Sequence, residues 1–265
     1  MKKIKLIRNI KIALSSILFI AAVIGMIWDV NRSDVSLGTG TNPNDVLVMG
    51  TEPGFKPFEY LDGTNVVGFD VDLAGEIARD NGKTLRIEQM AFDGLLPALQ
   101  SDRIDMVIAG MTITPDRAKN VDFSDSYYSA AQKIIVQKQE SSIKNRNDLV
   151  GKKIGVQLGT TGDILAHNIK GARVEQLPAI ASLFVELNTG RVDAIILDDG
   201  PAKQYLTQNP KLTMLPDRLS SEDYAIAVKK GNTKLLKQIN DSILKLKQNG
   251  QYNNLIKKYF GEIVR

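Results

Sequence analysis

Between Gly110 and Arg117 the chain reads Gly-Met-Thr-Ile-Thr-Pro-Asp-Arg, directly after the apolar run Asp105-Met-Val-Ile-Ala109. These residue types in this order could hold a carboxylate. An apolar strand would deliver a bare backbone at Gly110 and a hydroxyl at Thr112. Thr114-Pro115-Asp116 reads as a helix start, with Thr114 as N-cap and proline at the first helical position. Arg117 then falls in the first turn, where its planar fork can take a carboxylate bidentately. The same residues also fit an ordinary strand-to-helix connection with a surface arginine.

A second anion candidate is Gly159-Thr-Thr-Gly162, which follows the strand-like Ile154-Gly-Val-Gln157. Residues 163–168 read as helical, so the Thr160 and Thr161 amides would face outward at a positive helix end. The Gly-Lys-Ser/Thr ending of a phosphate loop is missing, so nucleotide binding is not indicated. Asp198 closes another apolar run. A lone carboxylate at a strand end suits an ammonium group, although a plain loop carboxylate beside Asp199 has the same appearance.

These groups need strand ends to carry them. From Val46 onward short apolar runs alternate with amphipathic stretches, the α/β pattern. Strands are expected at 46–49, 104–109, 133–137, 154–157, 194–197 and 224–228. Helices are expected at 71–79, capped by Asp70, and from Leu95 to Gln100. A longer helix over 235–249 follows from the helical spacing of Leu235, Leu236, Ile239, Ile243, Leu244 and Leu246, and it ends at Gly250.

A weak repeat organises the pattern. Leu95-Leu-Pro-Ala-Leu-Gln-Ser-Asp-Arg-Ile-Asp105 parallels Leu183-Phe-Val-Glu-Leu-Asn-Thr-Gly-Arg-Val-Asp193. Upstream, Arg86-Ile-Glu-Gln-Met90 pairs with Arg173-Val-Glu-Gln-Leu177. Two lobes of related build follow, with strand ends facing a common crevice, where open α/β sheets take their ligands.

Composition excludes several classes. The chain has no cysteine, hence no disulfide framework and no thiolate chemistry. Its net charge of +4 comes from one place: Lys2, Lys3, Lys5, Arg8 and Lys11 all precede Asp29, the first acid. The 34 basic residues less those five leave 29 against 30 acidic ones, a net of −1, so a nucleic-acid partner is not expected. The uncharged run from Ile12 to Trp28 after this basic stub reads as a secretory signal or a signal anchor, the uncleaved anchor being favoured. Residues 29–45 are polar and read as a flexible linker. His167, the one histidine, falls in a polar helical stretch and offers no acid–base pair.

At this point the residues resemble a family. Gly50-Thr-Glu-Pro-Gly-Phe-Lys-Pro-Phe-Glu-Tyr60, Gly68-Phe-Asp-Val-Asp-Leu73, Gly110 to Arg117, Asp122-Phe-Ser-Asp-Ser-Tyr-Tyr128, Gly250-Gln-Tyr-Asn-Asn254 and Tyr259-Phe-Gly261 occur in the order of bacterial ABC-transporter amino-acid-binding proteins. These are the extracytoplasmic solute-binding proteins related to the glutamine, histidine and lysine/arginine binders. The resemblance covers residues 46–261. It implies a type II periplasmic-binding-protein fold: two α/β lobes, 46–130 plus 224–265 and 131–223, joined by hinge strands near 127–133 and 222–225.

The resemblance also implies roles. Arg117 would clamp the α-carboxylate with Thr112 and the Thr160 and Thr161 amides. Asp198, the Gly110 carbonyl and the Thr112 hydroxyl would take the α-ammonium. Phe55 and Phe92 would stack on the ligand side chain, and Glu52 would face its end. Gln157 stands where glutamine binders carry lysine, which favours a basic ligand, arginine or lysine, with glutamine or another polar amino acid as the alternative. The partners implied are a free L-amino acid and a membrane permease, served by a monomer without cofactor or metal. A sensor module is a further alternative, and a dehydratase of the same fold is the enzyme alternative.

Overall fold

A computed structural model describes residues 45–140 and 142–261. The expected signal or anchor (1–28) and all of the expected linker except Asp45 lie outside the described residues. In chain order the strands are β1 Val46–Thr51, β2 Gly54–Phe55, β3 Glu59–Asp62, β4 Asn65–Val67, β5 Thr84–Gln89, β6 Met106–Val107, β7 Val121–Phe123 and β8 Tyr128–Ala130. They continue with β9 Gln132–Gln137, β10 Lys153–Gln157, β11 Arg173–Leu177, β12 Ala194–Asp198, β13 Leu212–Met214, β14 Glu222–Tyr224 and β15 Ala227–Lys229. The helices are α1 Phe69–Asp80, α2 Leu95–Gln100, α3 Pro115–Asn120, α4 Thr161–His167, α5 Ile180–Asn188, α6 Asp199–Gln208, α7 Thr233–Gln248 and α8 Gln251–Phe260. No helix among the described residues is long and apolar enough to cross a membrane.

Two five-stranded sheets form two α/β lobes, in the orders β5-β1-β6-β15-β7 and β11-β10-β12-β9-β13. Their centres are built alike. β1 runs parallel to β5 and β6, and β10 runs parallel to β11 and β12. Central parallel strands are covered on both faces, so they read as continuous apolar runs, as Val46-Leu-Val-Met does. β8 and β14 pair antiparallel as a separate two-stranded crossing between the lobes, at the expected hinge.

The repeat has a structural meaning. Asp105 Oδ2 accepts the Val48 amide at 2.8 Å, and Asp193 Oδ2 accepts the Lys153 amide at 2.7 Å. In each lobe one aspartate thus ties the strand after the repeat to the start of the central strand. A Cβ added to Gly50 would meet Ile104 and Leu95, and one added to Gly155 would meet Leu183 and Val192. Leu95 and Ile104 align with Leu183 and Val192, so the same close approach recurs in both lobes.

Some elements differ from the sequence reading. α1 starts at Phe69 with Gly68 as N-cap, and Asp70 caps nothing. Its side chain is fully buried and turned toward Gly110 and Tyr127. The expected strand 224–228 is two strands, because Ala225 breaks away to donate its amide to Met111 O. The chain there leaves the hinge and joins the first sheet. The expected strand 104–109 shortens to Met106–Val107. The helix expected over 163–168 spans Thr161–His167.

The largest apolar cluster runs through the hinge. Phe58 lies 4.8 Å from Tyr128, 5.3 Å from Tyr224 and 5.1 Å from Phe260 between ring centroids. Burying such rings stabilises by about 1.5–3 kcal/mol each, and here it also braces the crossing strands.

Candidate ligand-binding cleft

The carboxylate candidate is assembled as its residue types demand. Thr114 caps α3 by accepting the Arg117 amide on its hydroxyl at 3.2 Å, and Pro115 opens the helix. The cap fixes where Arg117 points. Its guanidinium is buried, donates from Nη1 to Thr112 O at 2.7 Å, and stacks over the Phe92 ring at 5.3 Å. Burial pushes its pKa down to about 10, against the opposing pull of Glu222 and Asp198, so it remains a cation at neutral pH.

Gly110 turns the chain at φ 52°, a left-handed conformation that glycine adopts without a Cβ penalty. A Cβ there would lie 2.4 Å from the Phe55 ring. The corner is fixed from behind, because the Gly110 amide donates to Asp70 Oδ2 at 2.9 Å. Thr112 is buried and bridges to Tyr224. Phe55 is 6 % exposed and packs against Phe58 and Tyr224 at 5.6 and 6.2 Å, so much of its ring belongs to the hinge cluster.

Asp198 ends β12 in the second lobe and is buried at 6 % exposure. Its Oδ1 accepts the Tyr224 hydroxyl at 2.5 Å and its Oδ2 accepts Gln132 Nε2 at 2.7 Å. Burial raises its pKa to about 7, with Glu222 and Asp199 pushing the same way and the two hydrogen bonds opposing. Gln132 Nε2 also donates to the Thr161 hydroxyl at 3.1 Å, which ties α4 to Asp198. Thr160 is occupied locally: its amide and its hydroxyl donate to Gln157 O at 3.3 and 2.8 Å, and the hydroxyl accepts the Asp163 amide. Of the two expected anion-binding amides, that of Thr160 already has a partner.

Away from the hinge strands, further hydrogen bonds join the two lobes. Arg117 Nη2 donates to Gly159 O at 3.0 Å, Gln157 Nε2 to Glu52 Oε2 at 3.3 Å, and the Tyr205 hydroxyl to Gly54 O at 3.0 Å. Glu52 follows β1 and Gln157 ends β10, so the two central strands point their C-terminal ends at each other. Burial raises the Glu52 pKa, opposed by the bonds from Gln157 and the Gly54 amide.

The structure therefore brings Arg117, Phe92, Gly110, Thr112, Phe55 and Glu52 of the first lobe opposite Gln157, Thr160, Thr161 and Asp198 of the second. Sequence reasoning missed Gln132, Tyr205, Glu222 and Tyr224 as site residues, and Gln132, Tyr205 and Tyr224 lie far along the chain from their partners. Glu222 is buried, accepts the Ser220 hydroxyl, and leaves Oε2 without a partner. His167 lies half exposed at the end of α4, with Nδ1 against Asp163.

Matching strand ends across a two-stranded hinge is the build of a two-lobed binding protein, and the comparisons name the group. Residues 47–262 match the bacterial extracellular solute-binding proteins, family 3. The chain belongs to that family. It is 39% identical over 220 residues to the arginine-binding extracellular protein ArtP of Bacillus subtilis, covering 81% of this chain and 86% of ArtP. It is 37% identical to the "Probable histidine-binding protein" of Campylobacter jejuni, covering 86% and 90% of the two chains. An ancestral arginine-binding protein solved with arginine superposes with a TM-score of 0.80 at 44% identity, covering 82% of this chain and 99% of that one. An ancestral arginine-binding protein solved with glutamine superposes with a TM-score of 0.77 at 45% identity, covering 82% of this chain and 99% of that one.

Proposed function

We propose that this chain is an extracytoplasmic amino-acid-binding protein that captures a basic L-amino acid, arginine or lysine, by lobe closure and delivers it to an ABC-transporter permease. One observation carries the reading. Arg117 and Asp198, opposite in sign and both buried, lie on the two lobes of one cleft, as the carboxylate and ammonium of an α-amino acid require. In this reading the lobes comprise 46–130 plus 224–265 and 131–223. Residues 1–28 export the chain and, if uncleaved, anchor it to the membrane.

The side-chain preference rests on charge. Beyond Arg117 the cleft carries Glu52, Asp198 and Glu222, so a ligand with an extra positive charge balances it best. Gln157 beside Glu52 tolerates a cation that a lysine there would repel. Closure is driven by contacts made only in the closed state, such as those from Gln157 and Tyr205. The alternative ligand is glutamine, favoured by the Gln157 amide and by the glutamine complex of the ancestral relative.

Thermal unfolding tests the reading, since a ligand that binds only the folded state raises Tm. Arginine or lysine at millimolar concentration should raise it by several degrees. A rise with glutamine and none with either basic amino acid would overturn the basic preference. A rise with no amino acid at all would overturn the reading itself.

A further inference from the structure

Behind the cleft lies a pair of acids to which the reading above gives no part. Glu59 on β3 and Asp70 on α1 are 1 % and 0 % exposed, the Asp70 amide donates to Phe58 O next to Glu59 at 2.9 Å, and the charge of each acid bears on the other. Two carboxyl groups buried this close together can bond to each other only if one of them carries a proton. The charged side chains that bear on Glu59 are Asp70 and Glu52, both acids. The other titratable groups facing them are Glu52 toward Glu59, Tyr127 toward both acids, and Tyr252 toward Asp70.

The neighbours decide which acid holds the proton. Asp70 Oδ2 accepts the Gly110 amide at 2.9 Å and the Tyr127 hydroxyl at 2.8 Å, two donors that favour an anion. Glu59 has no such donors among the described residues, and its Oε2 and the Asp70 Oδ1 are buried oxygens with no hydrogen-bond partner, which a proton on Glu59 would satisfy. Burial drives Glu59 well above the usual carboxylate range, while Asp70, held down by its donors, rises only to about 6.

We propose that Glu59 stays protonated at neutral pH and donates to Asp70, which makes Asp70 a positioning residue that fixes the Gly110 corner of the cleft against the Tyr127 hinge crossing. Asp70 thereby links a wall of the site to the strand about which the lobes move. Its effect on ligand is exerted through the Gly110 backbone and not by contact.

Infrared spectroscopy on the full chain tests the proton directly. With glutamate carboxyls isotopically labelled and no ligand added, the carbonyl stretch of a protonated, label-shifted acid should be present at pH 8 and vanish in Glu59→Gln. Absence of that band at pH 8, or its survival in Glu59→Gln, overturns the proposal. The positioning role rests on the proposed function and is read as L-arginine affinity at pH 8. Asp70→Asn should weaken binding by about tenfold to a hundredfold, whereas Glu59→Gln, which keeps an N–H donor, should stay within about threefold of the wild type. Folded Asp70→Asn with unchanged affinity overturns the role. If Asp70→Asn does not fold, exchange of the Gly110 amide is compared between wild type and Glu59→Leu, and equal protection overturns it. A wild type that shows the band but binds no arginine would contradict the proposed function alone.

Discussion

The Tyr224 hydroxyl donates to Asp198 Oδ1 at 2.5 Å, joining a hinge strand to the strand end that carries the cleft's buried acid. The other hinge strand is anchored in the same way on the opposite lobe, where the Tyr127 hydroxyl donates to Asp70 Oδ2 at 2.8 Å. The two tyrosine rings lie 6.4 Å apart. Each lobe thus holds the crossing through one tyrosine and one buried aspartate.

Asp198 makes ligand affinity depend on pH. Its pKa of about 7 without ligand means that pairing with an α-ammonium must displace a proton at lower pH. Affinity should therefore be flat above pH 8 and fall by roughly tenfold per unit below 7. Stability of the ligand-free protein follows the opposite sign: a raised carboxylate pKa contributes stability at acid pH that is lost as pH rises through about 7. Calorimetric titrations between about pH 5.5 and 8.5, on either side of that pKa, check the slope, and Asp198→Asn should flatten it while weakening binding.

Arg117 should be indispensable. It is the buried cation of the cleft, and its bonds to Thr112 O and Gly159 O aim it between the lobes. Arg117→Ala should cost about 2–5 kcal/mol of binding, or roughly 30-fold to several thousandfold in Kd. Arg117→Lys should recover only part of it, because an ammonium lacks the planar fork. Fluorescence or calorimetric titration with arginine reads both.

Gln157→Lys is the specificity test. A lysine within reach of Glu52 would pair with it and repel a cationic ligand side chain. Arginine affinity should drop by about tenfold or more while glutamine affinity changes less. A competition titration of the two ligands against the variant measures the ratio.

Gly110→Ala should damage both fold and site. The residue adopts φ 52°, and a Cβ would run into Phe55. A destabilisation of about 1–3 kcal/mol is expected, visible as a lowered Tm. The Phe55 ring must move to accept the methyl, so affinity should fall as well.

Tyr205→Phe removes one contact between the lobes, the bond to Gly54 O, and leaves the stacked Phe184 ring at 4.6 Å in place. Affinity should weaken by about twofold to tenfold. Small-angle scattering with saturating ligand should still show closure, since two other bonds across the cleft remain.

Local chemistry was legible in the chain: the Thr114 cap, Pro115 and Arg117 in one turn, and the repeat of 95–105 in 183–193, whose Leu95 and Ile104, like Leu183 and Val192, prove to pack against a glycine of the central strand. What was not legible depends on residues brought together from afar. Asp70, within Gly-Phe-Asp-Val-Asp, looks like a helix cap, and nothing nearby reveals that its partners are Gly110 and Tyr127. Tyr224 to Val228 is apolar enough to read as one strand; the break at Ala225 exists because Met111 O takes its amide. Gln132 and Glu222 are polar residues on strands, and only the folded hinge shows that they surround Asp198.

The central claim is that one cleft holds a basic α-amino acid between Arg117 and Asp198. Isothermal titration of the wild type with L-arginine, L-lysine and L-glutamine at pH 8 tests it most directly. The account predicts saturable one-to-one binding that is tightest for arginine or lysine and lost in Arg117→Ala. Arginine binding that survives Arg117→Ala unchanged would contradict it.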